Sequence, residues 1–333
     1  MPQVTMGDLT QTHLFGRRNA TLKDSIQALS TETTTGLTAE TTERIKGDYG
    51  ALSGIEASLT RLGSFKLVTS ETAALANHMQ LALNTIADSG ATLSASLLAA
   101  ATSNSPTRIN ALGADADQRL QSALSTLNTR FADKSLFAGT TTDQAAVADA
   151  ATLMSALDAA VSGALTPDDV EAAVNAWFDD PAGFEATVYQ GGAASSAIDI
   201  GPDQKAQIDI TAQDPAIVSM VKGLAMAGLL QRGVLAGDDT SRAELAKKAG
   251  VSLSGSLATF AELTGRLGAT EASIVNAGIS NDAEKSALET ARLGLISVDP
   301  YETASKLQDA QTQLETLYSI TARMARLSLV NYL

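Results

Sequence analysis

Cysteine is absent from the 333 residues, so neither a disulfide framework nor a thiolate metal site can form. Aromatic residues make up only 4% of a chain that is 44% hydrophobic. A catalytic core of this size would use more Phe, Tyr and Trp, whereas long helices in thin layers fill their seams with Ala, Leu, Ile and Thr. Cations are also few: 23 Lys and Arg face 37 Asp and Glu, a formal charge of −14. That balance argues against a phosphate-binding surface for nucleic acid and works against an anionic membrane face. No run approaches the ~20 apolar residues of a membrane span, and the longest, Ala216 to Leu230, is interrupted by Lys222. The amino-terminal Met1-Pro-Gln-Val-Thr-Met6 lacks the basic start and apolar run of a secretory signal. By itself that predicts a cytoplasmic protein. The length leaves room for two or three domains.

Catalytic constellations are missing as well. His13 and His78 are the only histidines and stand far apart in sequence, without the spacing of a zinc motif or triad. Asp115 and Asp117 imitate two positions of a calcium loop, but the required Gly and distal Glu do not follow. Asp179-Asp180 beside Trp177 and Phe178 reads as an apolar anchor followed by an Asp-Pro turn rather than a paired-acid sugar platform. Gly191-Gly192 lacks the Gly-Lys-Ser/Thr of a phosphate loop. No enzyme, cofactor or metal site is predicted.

What is present is helical periodicity. Leu14, Phe15, Leu22, Ile26 and Leu29 mark a helix over about Leu9–Leu29. The Thr-rich run Ser30–Thr42 reads as a linker, because β-branched polar residues weaken helices. Leu52, Ile55, Leu59, Leu62, Leu75, Met79 and Ile86 carry a second helix to about Ser89, and Gly90–Asn104 either extends it or turns. Ser105-Pro106 restarts a helix whose stripe runs from Ile109 through Leu120 to Phe131 and stops near Gly139, a candidate left-handed end. Thr166-Pro167-Asp168-Asp169 is a further helix start. Ile198-Asp-Ile200 and Ile208-Asp-Ile210 flank Gly201-Pro202-Asp203 as the arms of a β-hairpin. This segment is expected to close a small core of its own. Asp214-Pro215 opens a helix to about Gln231. Ser241-Arg-Ala-Glu244 reads as a capping box opening a long helical region through Leu253, Phe260, Leu267 and Ile274, with Asn281 as a possible recap. Asp299-Pro300-Tyr301-Glu302 starts the last helix.

That last helix has the most regular stripe in the chain. Leu307, Leu314, Leu317, Ile320, Met324 and Leu327, with Ala310 in a gap, alternate spacings of three and four, which favours packing against other helices. From the residues alone, two readings stand. The two terminal helices complete the chain's own bundle, or they serve as an assembly device.

Asp299-Pro-Tyr-Glu302, Ala304-Ser-Lys-Leu307 and Ser328-Leu-Val-Asn-Tyr-Leu333 resemble the carboxyl terminus of the bacterial flagellin superfamily. Leu14-Phe-Gly-Arg-Arg-Asn19 and Gln27-Ala-Leu-Ser-Thr31 resemble its amino-terminal helix. Phe137-Ala-Gly-Thr140, with Asp143, and Tyr189-Gln-Gly-Gly192 are more similar to the hook–filament junction proteins of that superfamily than to filament flagellins. After Thr31 the usual Gly and acidic stretch are replaced by Glu-Thr-Thr-Thr-Gly.

The resemblance implies a mainly α fold with a long helical coiled-coil or bundle core built from both chain ends and a small α+β insert. Residues 1–45 with 300–333 would form an inner axial domain, 46–140 with 214–299 a helical rod, and 141–213 an inserted outer domain. The implied assembly interface comprises Leu14, Leu22, Ile26, Leu29, Leu307, Leu314, Leu317, Ile320, Met324, Leu327, Leu329 and Leu333. The implied role is a hook-associated junction protein joining hook to filament, or alternatively the filament flagellin itself. Its partners would be further copies of the chain, the neighbouring hook-associated protein, flagellin and an export chaperone, with no nucleic acid and no membrane insertion. Its place would be the extracellular flagellum, reached through the flagellar export apparatus without a cleaved signal.

Overall fold

The computed structural model describes residues 6–103 and 105–330, with side chains outside the description at 6–9, 12 and 325–330. The fold is mainly α, with a small α+β insert. Nine α-helices are described: α1 (Met6–Thr35), α2 (Thr41–Arg44), α3 (Gly50–Ser103), α4 (Pro106–Leu127), α5 (Ala150–Ala160), α6 (Pro167–Asp179), α7 (Pro215–Gly228), α8 (Asp239–Ile296) and α9 (Pro300–Val330). A single π-helical turn (Pro181–Glu185) and two short antiparallel hairpins accompany them, β1 (Arg130–Phe131) with β2 (Lys134–Ser135) and β3 (Ile198–Gly201) with β4 (Gln204–Ala206). Contacts divide the chain into two units, one formed by both chain ends up to Gly63 and from Asp282, the other by Ser64–Asn281.

The Thr-rich run is not a linker until Gly36. Helix α1 continues through Thr35, and the hydroxyls of Thr31, Thr33, Thr34 and Thr35 donate to carbonyls four residues back, at 2.7–3.0 Å. In that geometry the hydroxyls are satisfied without unwinding the helix, so the threonines are tolerated in it. Gly36, at φ +70°, then ends it. Likewise Gly90–Asn104 extends α3 up to Ser103.

Helix α4 stops at Leu127, ten residues short of the expected end near Phe137. Both side-chain amide atoms of Asn128 engage the backbone of Val147, donating to its carbonyl at 2.8 Å and accepting from its N–H at 2.9 Å. The chain then reverses with Ala132 and Asp133 at positive φ, the requirement of a two-residue hairpin turn. Phe131, spaced as a helix stripe residue, instead sits on β1 and packs at a tilt against His78, 4.6 Å between ring centroids.

The second hairpin is offset from expectation. Ile198 pairs with Ala206 and Asp199 with Lys205, so its return arm is 204–206 rather than 208–210. Ile208 and Ile210 are buried beyond it, outside any strand. The cap of α8 is Asp238, not Ser241: its carboxylate accepts from the Ser241 N–H at 3.0 Å and from the Ser241 hydroxyl at 2.6 Å. Those bonds, the hydroxyl first, hold the Asp238 carboxyl below its usual pKa. Asn281 caps nothing, since α8 passes straight through it. At 4% exposure it donates to the Ile200 carbonyl at 2.8 Å, fixing the hairpin to α8.

The insert does not close its own core. Val147, Leu153, Met154, Leu157, Val170, Val174, Phe178 and Phe184 join one buried cluster with residues of α3, α4, α7 and α8. Lys248 on α8 adds polar anchors to α6, reaching Asp168 at 2.7 Å and Glu171 at 2.6 Å. These bonds raise the lysine's pKa, so it stays charged.

The two segments around Phe137 and Tyr189 lie against each other. Thr140 N–H donates to the Ala193 carbonyl and Gly192 N–H to the Ala138 carbonyl, both at 2.9 Å. The Tyr189 hydroxyl donates to the Gly192 carbonyl at 2.6 Å. Gly139, at φ +59°, has the Ala193 oxygen 2.3 Å from where a Cβ would stand. Gly139→Ala is therefore expected to cost about 1–3 kcal/mol in backbone strain alone, before the clash is counted. Urea unfolding followed by Trp177, the chain's only tryptophan, would show the midpoint fall, and an unchanged midpoint would remove this account of the glycine.

Candidate assembly interface

Within the unit formed by the chain ends, α1 packs on α9. The helices run antiparallel: Leu14–Leu22 face Thr312–Ile320, and Leu22–Glu32 face Asp299–Gln313. A two-helix pair has a single seam, whereas an apolar stripe of 100° or more needs cover on more than one side. The burial pattern follows from that geometry. Leu317 is 7% exposed, and Thr303 and Ala310 are also buried in the seam. Leu22, Ile26, Leu29, Leu307, Leu314 and Met324 are half-buried. Leu14 remains 56% exposed and Ile320 42%. The backbone of Leu327 and Leu329 continues α9, but their side chains, and Leu333 altogether, lie outside the described residues. The pairing of α1 with α9 thus gives both terminal stripes a partner inside one chain, and leaves part of each open.

Sequence periodicity did not reveal the polar contacts of the seam. Tyr318 on α9 meets Asn19 and Lys23 on α1, and the Asn19 hydrogen bond, followed by Lys23, draws the phenol's pKa below its ordinary value. Thr303, in the first turn of α9, is buried at 4% exposure. Neither has a periodic signal, because each depends on which residue the opposite helix presents.

A backbone joint closes the inner end of the seam. Thr38 N–H donates to the Ile296 carbonyl at 2.9 Å and Val298 N–H to the Gly36 carbonyl at 3.0 Å, bridging Leu37 to Ser297. The Glu32 carboxylate accepts from the Ala39 N–H at 2.8 Å and the Thr38 hydroxyl at 3.3 Å. Asp299 caps α9 as expected, accepting from the N–H groups of Tyr301 at 2.8 Å and Glu302 at 3.2 Å. Tyr301 itself is 87% exposed.

The other side chains weighed for chemistry are in ordinary surroundings. His13 is exposed and His78 packs against Phe131. Asp115 pairs with Arg119 at 2.8 Å, and Asp117 accepts from the Gln121 amide. Trp177 and Phe178 contact edge to face, and Phe178 stacks on Phe184, while Asp180 caps the turn after them. Among the described residues no three acidic or histidine side chains are grouped to hold a metal ion, and no helix is long and apolar enough to cross a membrane.

Comparison with known proteins agrees with this architecture. Residues 253–333, covering the later part of α8 and all of α9, match the family described as the bacterial flagellin C-terminal helical region. The fold is similar to a solved structure of a candidate flagellar hook-associated protein from Vibrio parahaemolyticus, with a TM-score of 0.54 at 12% identity. That similarity covers 72% of this chain and 94% of the other. No curated protein matches the chain by sequence at a significant level.

Proposed function

We propose that this chain is a structural, non-enzymatic subunit of the bacterial flagellum, a hook-associated junction protein joining hook to filament through its terminal helices. The observation that carries the reading is the α1/α9 pair, whose apolar stripe is half closed within one chain and open at Leu14 and Ile320. The family match over 253–333 supports it.

In this reading, residues 1–45 and 300–333 form the inner axial domain, 46–140 and 214–299 the helical middle, and 141–213 the outward-facing part. The assembly residues are the seam leucines with Ile26, Ile320 and Met324, continued by Leu327, Leu329 and Leu333. The subunit leaves the cell through the flagellar export apparatus without a cleaved signal, escorted by an export chaperone. It then contacts further copies of itself, the neighbouring hook-associated protein and flagellin.

The family's description as a flagellin region favours a second reading, the filament subunit itself. Mass spectrometry of sheared flagella separates the two. A layer between hook and filament would be a minor component of such a preparation, and a filament subunit its bulk. If this chain is the bulk of the filament, the junction role is wrong. If it is absent from flagella, both readings fail.

A further inference from the structure

The connection between α7 and α8, residues 229–238, is a run of turns with no helix or strand of its own. It lies flat on α4. A Cβ added to Gly113 would stand 2.8 Å from the Gln231 nitrogen and 3.0 Å from the Leu230 Cβ, so the two backbones come this close only because a glycine is there. Leu229 and Leu230 are buried, and Val234 and Leu235 pack partly buried against the core. Leu235 is held at φ +56°, a left-handed conformation that strains a bulky side chain and persists only where its surroundings impose it. Those surroundings include Arg242, near the start of α8. Its side chain is 7% exposed. It donates to the Leu230 carbonyl at 2.7 Å, to the Val234 carbonyl at 2.8 Å and to the Asn110 side-chain oxygen on α4 at 2.6 Å. All three acceptors are neutral. A buried cation is retained only where such bonds replace its water. A second fastening is weaker: Arg232 pairs with Asp158 of α5, the two side chains 33% and 37% exposed, and exposed pairs contribute little.

We propose that the α7–α8 connection is a strap that lifts from α4 as one local unit, and that Arg242 is the latch that holds it closed. The backbone bonds of the connection are its own. Its N–H groups reach back three to five residues, from Leu230 to Ala227 through to Asp238 to Leu235, so these turns travel with the segment when it moves. What ties it down is side-chain chemistry. Lifting requires the Leu230 and Val234 carbonyls to leave Arg242, and it uncovers Leu230 beside Gly113. Relief of the strain at Leu235 favours the open form, and the buried guanidinium opposes it. Two opposed local terms of this kind give a segment its own opening equilibrium, separate from unfolding of the whole unit. The proposal does not depend on the flagellar reading.

Hydrogen–deuterium exchange of the full chain, read by mass spectrometry, tests this. R242M keeps an apolar stem in place and removes all three bonds. Exchange in residues 229–241 is expected to rise at least about tenfold, while residues 76–100 of α3 exchange as in wild type. R242K keeps the charge without the forked donors and is expected to fall between. Trypsin gives a second readout: the Arg232–Gly233 bond should be cut faster in R242M by a similar factor, since cleavage follows the population of the open form. R232E removes only the outer pair and should leave exchange in 229–241 within about twofold of wild type. Equal acceleration in α3 would make Arg242 a part of the global core, and unchanged exchange in 229–241 would remove its hold on the connection; either overturns the proposal. So would R232E opening the segment as far as R242M does. If circular dichroism shows R242M unfolded, N110A carries the test. It takes away one acceptor, and exchange in 229–241 must then rise several-fold with α3 unchanged, or there is no strap.

Discussion

If the proposed flagellar reading holds, replacing Leu317 and Met324 together with Asp is expected to abolish incorporation into the flagellum while leaving the Ser64–Asn281 unit folded. The positions are seven residues apart, so they are displaced by only about 20° around the helix. Leu317 is 7% exposed between α1 and α9, and Met324 is half-buried one heptad further along. Losing the buried Leu317 side chain costs about 1.5–3 kcal/mol, and losing the half-buried Met324 costs less. Placing a carboxylate there without a partner adds several kcal/mol of desolvation. Even about 3 kcal/mol corresponds to more than a hundredfold in a pairing equilibrium, enough to part a two-helix seam. Neither position belongs to the buried cluster of the Ser64–Asn281 unit. Trp177, partly buried against that core, reports on it alone. Thermal unfolding by tryptophan fluorescence should match wild type while motility and attachment at the hook tip are lost. Normal filaments in the double variant would mean that this seam is not the assembly surface.

Deleting residues 141–213 and joining Thr140 to Asp214 through a short linker is expected to destroy cooperative folding of the Ser64–Asn281 unit. The deletion removes Leu153, Met154, Leu157, Val170, Val174 and Phe178 from the cluster that covers α4 and α7. At about 1.5–3 kcal/mol per large side chain, the loss matches or exceeds the 5–15 kcal/mol that holds a domain together. Lys248 also loses both of its carboxylate partners, and Asn281 loses the Ile200 carbonyl. Urea unfolding followed by far-ultraviolet circular dichroism would show a broad transition of low slope. A sharp transition at the wild-type midpoint would instead mean that the insert stands as an independent body.

Several features were legible in the sequence because they are local. The Pro-based helix starts at Pro106, Pro167, Pro215 and Pro300 all open helices where expected, since proline fixes φ whatever surrounds it. Thr166 caps its helix, its hydroxyl accepting from the Asp169 N–H at 3.1 Å. Stripe residues such as Ile109, Leu120, Phe260, Leu267 and Ile274 are buried. The low aromatic content matches a structure whose seams are filled by Ala and Leu.

Other features were not, because two local signals competed. Thr31–Thr35 disfavour a helix by side-chain entropy, yet their hydroxyls can satisfy helix carbonyls, and the sequence does not say which effect prevails. Phe131 keeps the α4 spacing, but the end of that helix is set by Asn128 binding Val147, nineteen residues away. Ala132 in a left-handed turn has no sequence signature at all.

The sequence by itself determined that the chain is built from long helices, where most of them begin, which face of each is apolar, and that both chain ends carry such a face. Those properties follow from φ restriction, capping and a period of 3.6 residues, which act over a single turn or two. Only the tertiary structure decided what each face meets: that α1 closes half of α9, that the 141–213 segment lends its side chains to the core of α4 and α7, and that Asn281 holds a hairpin instead of a helix end. Burial and pairing energies depend on partners brought together across the whole chain, and no local pattern specifies them.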